Sequence, residues 1–355
     1  MSIYIQSASH ISFQKPLTEE WMEEPVIPDS TFMKSQEPDY KPFISPMEAR
    51  RMGTLVKRAL ATSADALRKG GCEMPDAIIS GTGLGCVEHT EKFLNALIDN
   101  DEECLPPTSF MQSTHNTISS QIALRLKCHG YNSTYSHRGT SFDSALFDAF
   151  MQLSLGKIRT ALVGAHDEMT PDYFLMLSKL GYWKSNFYML EQLRKGEEEG
   201  SISGSCSLSM LLSAQKQENS LCELKDMSLF YRPGILQSKH AINEILLRNN
   251  LSIKDIDAVV MGLSGDRDND DVYHELKEHI FQNIPVLWYK QLFGESFGAS
   301  SFGVYVGAEC LRAGRIPKHL FFNSEEAETF QKEPKYILVY NHFHDRDHSI
   351  VLLTK

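Results

Sequence analysis

Nowhere in the 355 residues does an apolar run approach the length of a membrane span. The opening MSIYIQSASHISF has neither the basic start nor the uninterrupted apolar core of a signal peptide, so a cytoplasmic protein is expected. Paired cysteines are missing too. The seven present (Cys72, Cys86, Cys104, Cys128, Cys206, Cys222, Cys310) are an odd number, widely scattered, with no close pair at metal-ligand spacing. That pattern indicates neither a disulfide framework nor a zinc knuckle, and reduced, mostly packed thiols are expected. Positive charge is outnumbered, 35 Lys and Arg against 46 Asp and Glu. A formal net charge of −11 argues against nucleic acid or an anionic membrane as partner, because Lys and Arg carry most of the binding to both. It also argues against an acidic carrier protein docking broadly on this surface. What remains is a globular composition, 42% hydrophobic and 23% charged, sufficient for one large domain or two ordinary ones.

Residues 14–44 are rich in Pro and acid, without sustained periodicity, and read as an irregular arm or surface excursion. Ser45-Pro46-Met47-Glu48 then supplies an N-cap, a proline at the first helical position and a capping-box acid. Met52, Leu55, Val56, Ala59, Leu60, Ala66 and Leu67 follow at helical spacing until Gly70-Gly71, predicting one amphipathic helix. DAIISGTGLG comes next, a short β-branched run ending in glycines, as for a buried strand entering a tight turn. The same order recurs later, where a helical pattern through Ala241, Ile242, Ile245 and Leu246 leads past Asn249-Asn250 to DAVVMGLSGD. Asp76-Ala77-Ile78-Ile79 and Asp257-Ala258-Val259-Val260 are counterparts, and FMQLSLGKI and AECLRAGRI both end a helix on a glycine, Gly156 and Gly314. Two copies of one α/β unit predict a duplicated chain with halves at about 1–215 and 216–355, each a buried sheet covered by helices.

Between Asn132 and Ala165 the chain reads NSTYSHRGTSFDSALFDAFMQLSLGKIRTALVGA: a strand, a sharp polar turn, a helix of roughly four turns and a buried strand. This segment resembles the nucleophile elbow of the β-ketoacyl synthases. There a Cys stands at the helix N-terminus, where the dipole and free backbone N–H groups lower its pKa and stabilise an oxyanion. Counting back from Gly156, the nucleophile position falls on Gly139. The resemblance extends upstream through SSQIALRLKCHGYN and downstream through LVGAHDE. In the second half DIDAVVMGLSGDRDND resembles DIDYVNAHGTGTPLGD of the family, and YKQLFGESFGASSFG resembles TKSMTGHTLGAAGAV. Those segments deliver the family's two His residues, and here the positions hold Gly262 and Glu295. Lys290, the supporting lysine, is retained, and an ion pair between Glu295 and Lys290 is the expected outcome. NSFGFGGTN, the gating loop, is replaced by NHFHDRDH, which puts Asp345 at the gating phenylalanine.

Two motifs compete. GTGLG at Gly81, Gly83 and Gly85 follows a strand like a dinucleotide-binding turn, but Cys86 stands where the third glycine belongs. HFHDRDH at His342, His344, Asp347 and His348 is similar to a hydrolase zinc cluster, yet has one residue too many and no ligands downstream. A solvated polar loop between two strands is expected there, and neither a metal nor another cofactor. His137 and His166 are expected to be hydrogen-bonded structural groups.

The resemblance implies a thiolase-like α/β fold with duplicated halves in a five-layered αβαβα arrangement, pairing through its first half. It further implies a partner without condensing chemistry, like the chain-length factor of type II polyketide and aryl-polyene systems. Such a chain completes the tunnel of an active ketosynthase subunit and meets acyl carrier protein only indirectly. Leu84, Cys86, Val87 and Phe142 become candidates for setting tunnel depth. The rivals are an acyltransferase or thioesterase using Ser141, His137 or Glu295, and a homodimer that binds acyl chains or carrier protein without chemistry.

Overall fold

In a computed structural model, which describes residues 2–105, 107–186 and 189–355, ten strands pair into one sheet. The strands are β1 (Ile3–Ile11), β2 (Ala77–Gly81), β3 (Tyr131–Tyr135), β4 (Thr160–Asp167) and β5 (Cys206–Ser213). They continue as β6 (Cys222–Tyr231), β7 (Ala258–Met261), β8 (Val286–Trp288), β9 (Tyr336–Phe343) and β10 (Asp347–Thr354). Their spatial order is β3-β2-β4-β5-β1-β6-β10-β9-β7-β8. β2 pairs in parallel with β3 and β4, and β5 joins β4 and β1 antiparallel. β7 likewise pairs in parallel with β8 and β9, and β10 joins β9 and β6 antiparallel. The two groups meet where β1 pairs with β6.

Alternation along the buried strands divides the core. Ala77, Ile79, Ala161 and Val163 point to a central layer holding Phe142, Ala145 and Leu146 of helix Ser141–Ser154. Ala258, Val260, Ile337 and Val339 join the same layer with Phe302 and Val304 of helix Ser300–Ala313. The intervening residues face outward: Ile78 and Leu162 onto helices Thr54–Lys69 and Thr117–Leu126, Val259 and Leu338 onto Ile235–Arg248 and Arg267–His279. The sheet's two five-stranded groups thus form separate layers on either side of the central helices, and helix, sheet, helix, sheet, helix is the five-layered thiolase-like arrangement.

The paired aspartates do the same work in both groups. Asp76 Oδ2 accepts from the backbone N–H of Arg159 at 2.8 Å and Thr160 at 3.1 Å, pinning the entry to β4. Asp257 Oδ2 accepts from Lys335 at 2.7 Å and Tyr336 at 3.0 Å, pinning the entry to β9. Gly156 and Gly314 adopt φ of +66° and +65° just past their helices, the left-handed turn that stops a helix.

Two expectations need correcting. The predicted helix is broken: the Ser45 capping box starts a short helix Pro46–Ala49, and the long one begins only at Thr54. The break lies at Gly53, where the His89 ring comes so close that a Cβ would lie 2.6 Å from it. The arm before it is irregular but no mere excursion. Trp21 is buried and donates its indole N–H to Tyr305 Oη at 3.2 Å, while Gln14 reaches the Leu292 carbonyl at 2.8 Å.

Candidate functional site

β3 ends at Tyr135, and a 3-10 turn, Arg138–Thr140, feeds helix Ser141–Ser154. Arg138 takes φ +53°, so the elbow is sharp. Ser141 is committed to holding it. Its hydroxyl accepts from the His137 backbone N–H at 2.8 Å and lies 2.6 Å from the Arg138 carbonyl and 3.0 Å from that of Thr82. The His137 imidazole turns elsewhere, to Ser144 Oγ at 3.1 Å. Ser141 and the His137 ring are therefore not brought together as nucleophile and base.

Gly139 sits at the head of the helix beneath the Phe343 ring, and a Cβ added to it would lie 2.2 Å from Phe343 Cδ2. Around it gather Lys290, Glu295, Asp143 and His342, enclosing a cavity of about 10 Å³, the room of a single water. Lys290 Nζ donates to Glu295 Oε2 at 2.6 Å, and Lys290 is nearly inaccessible, so the cation lost from solvent is matched by its carboxylate. Gly262, just beyond β7, has its side-chain space filled by others. A Cβ there would meet Tyr273 Oη at 2.4 Å and Asn341 Oδ1 at 2.5 Å. Tyr289 donates to that same Asn341 oxygen at 2.7 Å, and Tyr273 Oη accepts from the His342 N–H at 3.1 Å.

Asp345 does not reach the elbow. It lies exposed in the β9–β10 turn at φ +47°, with Oδ1 3.3 Å from His348 Nε2. Phe343, on the strand rather than the turn, is the ring over Gly139. The expected solvated loop is correspondingly short: His342 and His348 are buried and stacked with centroids 5.3 Å apart, leaving only His344–Arg346 in the turn. Burial holds the His342 imidazole far below its usual pKa. No group of three or more His, Cys, Asp or Glu among the described residues is placed to hold a metal ion.

The GTGLG glycines serve close packing. A Cβ on Gly81 would lie 2.5 Å from the backbone of Ser141 and Phe142, and one on Gly83 2.3 Å from the Phe297 ring. Beside this turn a cleft of about 60 Å³ is lined by Leu84, Tyr173, Trp183, Phe297, Phe343 and Asp167. Of the four tunnel candidates Leu84 faces this cleft. Cys86 is packed with Leu55, Val56 and Ile118 in an outer layer, its thiol pushed up to about 12 by burial and neighbouring carboxylates. Val87 begins helix Val87–Asp99, and Phe142 is wholly buried in the central core. Sequence reasoning missed Phe343, Tyr273, Asn341 and Asp167. A phenylalanine in a polar run was the available signal for the first, and the others had none.

A strand, a sharp elbow and a helix set in a five-layered fold define a thiolase-like ketosynthase relative. The chain belongs to the β-ketoacyl synthase family: the family model "Beta-ketoacyl synthase, N-terminal domain" matches residues 19–226. Among solved structures it is similar to the ishigamide ketosynthase/chain length factor, with a TM-score of 0.80 and 13% identity over 100% of this chain and 99% of that one. A beta-ketoacyl synthase from Burkholderia phymatum STM815 gives 0.79 at 12% identity over 100% and 99%. AntDE:AntF, a type II polyketide acyl-carrier protein in complex with its ketosynthase bound to the hexaketide, gives 0.73 at 13% over 99% of each chain. At these identities the likeness establishes the fold. No curated protein matches the chain.

Proposed function

We propose that this chain is the non-condensing partner of an active ketosynthase, acting in the cytoplasm to limit how far an acyl chain grows. The observation that carries the reading is the filled elbow. With Phe343 on Gly139 and about 10 Å³ left, neither a thioester nor a nucleophile has a place in it. Tyr273 and Asn341 occupy the space of the first lost imidazole, and Lys290 is spent on Glu295. The Ser141 geometry supports no substitute nucleophile.

A partner surface is also supported. β3 is an edge strand, and Phe110, Met111, Leu124 and Met151 are exposed on helices at that end of the molecule, with Leu155 exposed just past the last of them. An unpaired edge flanked by apolar side chains is unfavourable in water and favours a covering subunit. The division into halves at about 1–215 and 216–355 is part of the proposal, with the first half meeting the partner. Leu84 in the cleft and Phe142 in the central core stay the candidates for limiting tunnel depth.

The test is co-expression with the ketosynthase encoded beside it, native mass of the purified complex, and product analysis with and without this chain. A one-to-one complex whose product length depends on this chain is expected, with Leu84→Ala lengthening the product. A stable homodimer with no affinity for the synthase overturns the proposal.

A further inference from the structure

The cleft beside the elbow has two kinds of lining. One is aromatic: Tyr173, Tyr182, Trp183, Phe297 and Phe343. These rings are backed by others, since Phe174 stacks on Trp183 at 6.1 Å and on Phe32 at 4.6 Å. The second lining is anionic. Asp167, Glu168, Asp266 and Glu295 face the same space, and among the described residues no Lys or Arg does.

The four carboxyls are not equivalent. Glu295 is neutralised by Lys290 at 2.6 Å. Asp167 has no cation: its Oδ1 accepts from Thr82 Oγ1 at 3.0 Å and the Gly83 N–H at 2.7 Å, while its buried Oδ2 has no hydrogen-bond partner. That oxygen lies on the Gly298 side, 3.2 Å from where a Cβ of Gly298 would stand, next to Phe297. A buried carboxyl without a cation is costly, and a positive charge in the adjoining cleft offsets part of that cost through space.

We propose that this cleft is a binding site for a small organic cation, an amine or quaternary ammonium group, held between the aromatic faces and the carboxyls of Asp167, Glu168 and Asp266. Ring quadrupoles attract a cation over their faces, and the carboxyls give the space a negative potential that rejects anionic ligands. The cleft adjoins the elbow and shares Glu295, His342 and Phe343 with it, and binding a cation there does not require ketosynthase pairing.

Burial raises both Asp167 and Glu168 to about 7. Asp167 faces Glu168, Cys206 and Tyr173, and Glu168 faces Glu88, Glu91 and Arg58, whose charge opposes the rise. A cation favours the ionised carboxylates, so its affinity increases as pH rises through neutrality.

The experiment is calorimetric titration of the protein as purified, with its partner if the two co-purify. The probes are choline and its neutral isostere 3,3-dimethyl-1-butanol. Choline is expected to bind at least about tenfold more tightly than the alcohol, and more tightly above neutral pH than below it. Asp167→Asn, which keeps an oxygen for Thr82 and Gly83, is expected to weaken choline about tenfold, and Trp183→Leu to weaken it as well. Thermal melts establish that each variant is folded; if Asp167→Asn is not, Glu168→Gln takes its place. No choline binding, equal affinity for the two probes, or affinity unchanged by pH and by the substitutions overturns the proposal.

Discussion

At Gly139, at the head of the elbow helix, the Phe343 ring occupies the space a side chain would need. Any β-carbon at residue 139 must displace the Phe343 ring. Gly139→Ala is therefore expected to destabilise the protein by about 1–3 kcal/mol, the usual cost of overpacking. Phe343→Ala in the same molecule should recover part of that loss, and a double-mutant cycle in urea measures the coupling. Additive effects would show that the ring gives way freely. Asp167 makes a second prediction. Burial raises it from 3.8 to about 7 against the opposing hydrogen bonds from Gly83 and Thr82. Between those values the unfolded chain is ionised while the folded chain holds its proton, so this group's contribution to stability falls as pH rises. Asp167→Asn should remove that slope. His10 and His166, each held near 3 by burial, act in the opposite direction, since their contribution is lost as pH falls below 6.5. Both are shared by the two proteins, so the difference between their melting profiles across the window isolates Asp167.

At the scale of the element, short polar contacts decide where strands begin. The Asp76 and Asp257 carboxylates each hold two backbone N–H groups of a strand entry far along the chain. Asp76→Ala and Asp257→Ala should each cost about 1–3 kcal/mol, because the donors are left partly unsatisfied. In combination the costs should add within about 0.5 kcal/mol, as expected of distant sites. Chemical denaturation of the three variants checks this, and strong non-additivity would mean that the two groups of strands respond to each other's entry points. The arm is a further element that packing controls. Trp21 lies against Phe293 and Tyr305 with centroids 5.6 and 5.7 Å away, so Trp21→Ala should cost about 3–5 kcal/mol.

For the whole molecule, the apolar surface near the β3 edge is where association should be most sensitive. Met111→Lys and Leu124→Lys place charges on exposed positions, so the isolated chain should melt unchanged while partner affinity falls at least about tenfold. Native mass and thermal melts read the two effects separately. A pair of variants that still assembles at full affinity would remove this face from consideration.

Much of the architecture was legible from local pattern. Strand alternation, the Ser45 capping box, the helix-ending glycines at 156 and 314 and the repeated Asp-Ala-aliphatic entry to β2 and β7 are signals carried by neighbouring residues. Backbone propensity and burial act over those same short distances. The Lys290–Glu295 pair followed from their charges and spacing. The neighbours of the two glycines did not follow, because Phe343 reaches Gly139, and Tyr273 and Asn341 reach Gly262, only through sheet order and helix packing. The sequence by itself determined which layers form and that Lys290 and Glu295 carry opposite charges to pair. Only the tertiary structure decided what packs against Gly139 and Gly262 and left Asp167 Oδ2 unpaired, because close packing is settled between residues distant in the chain.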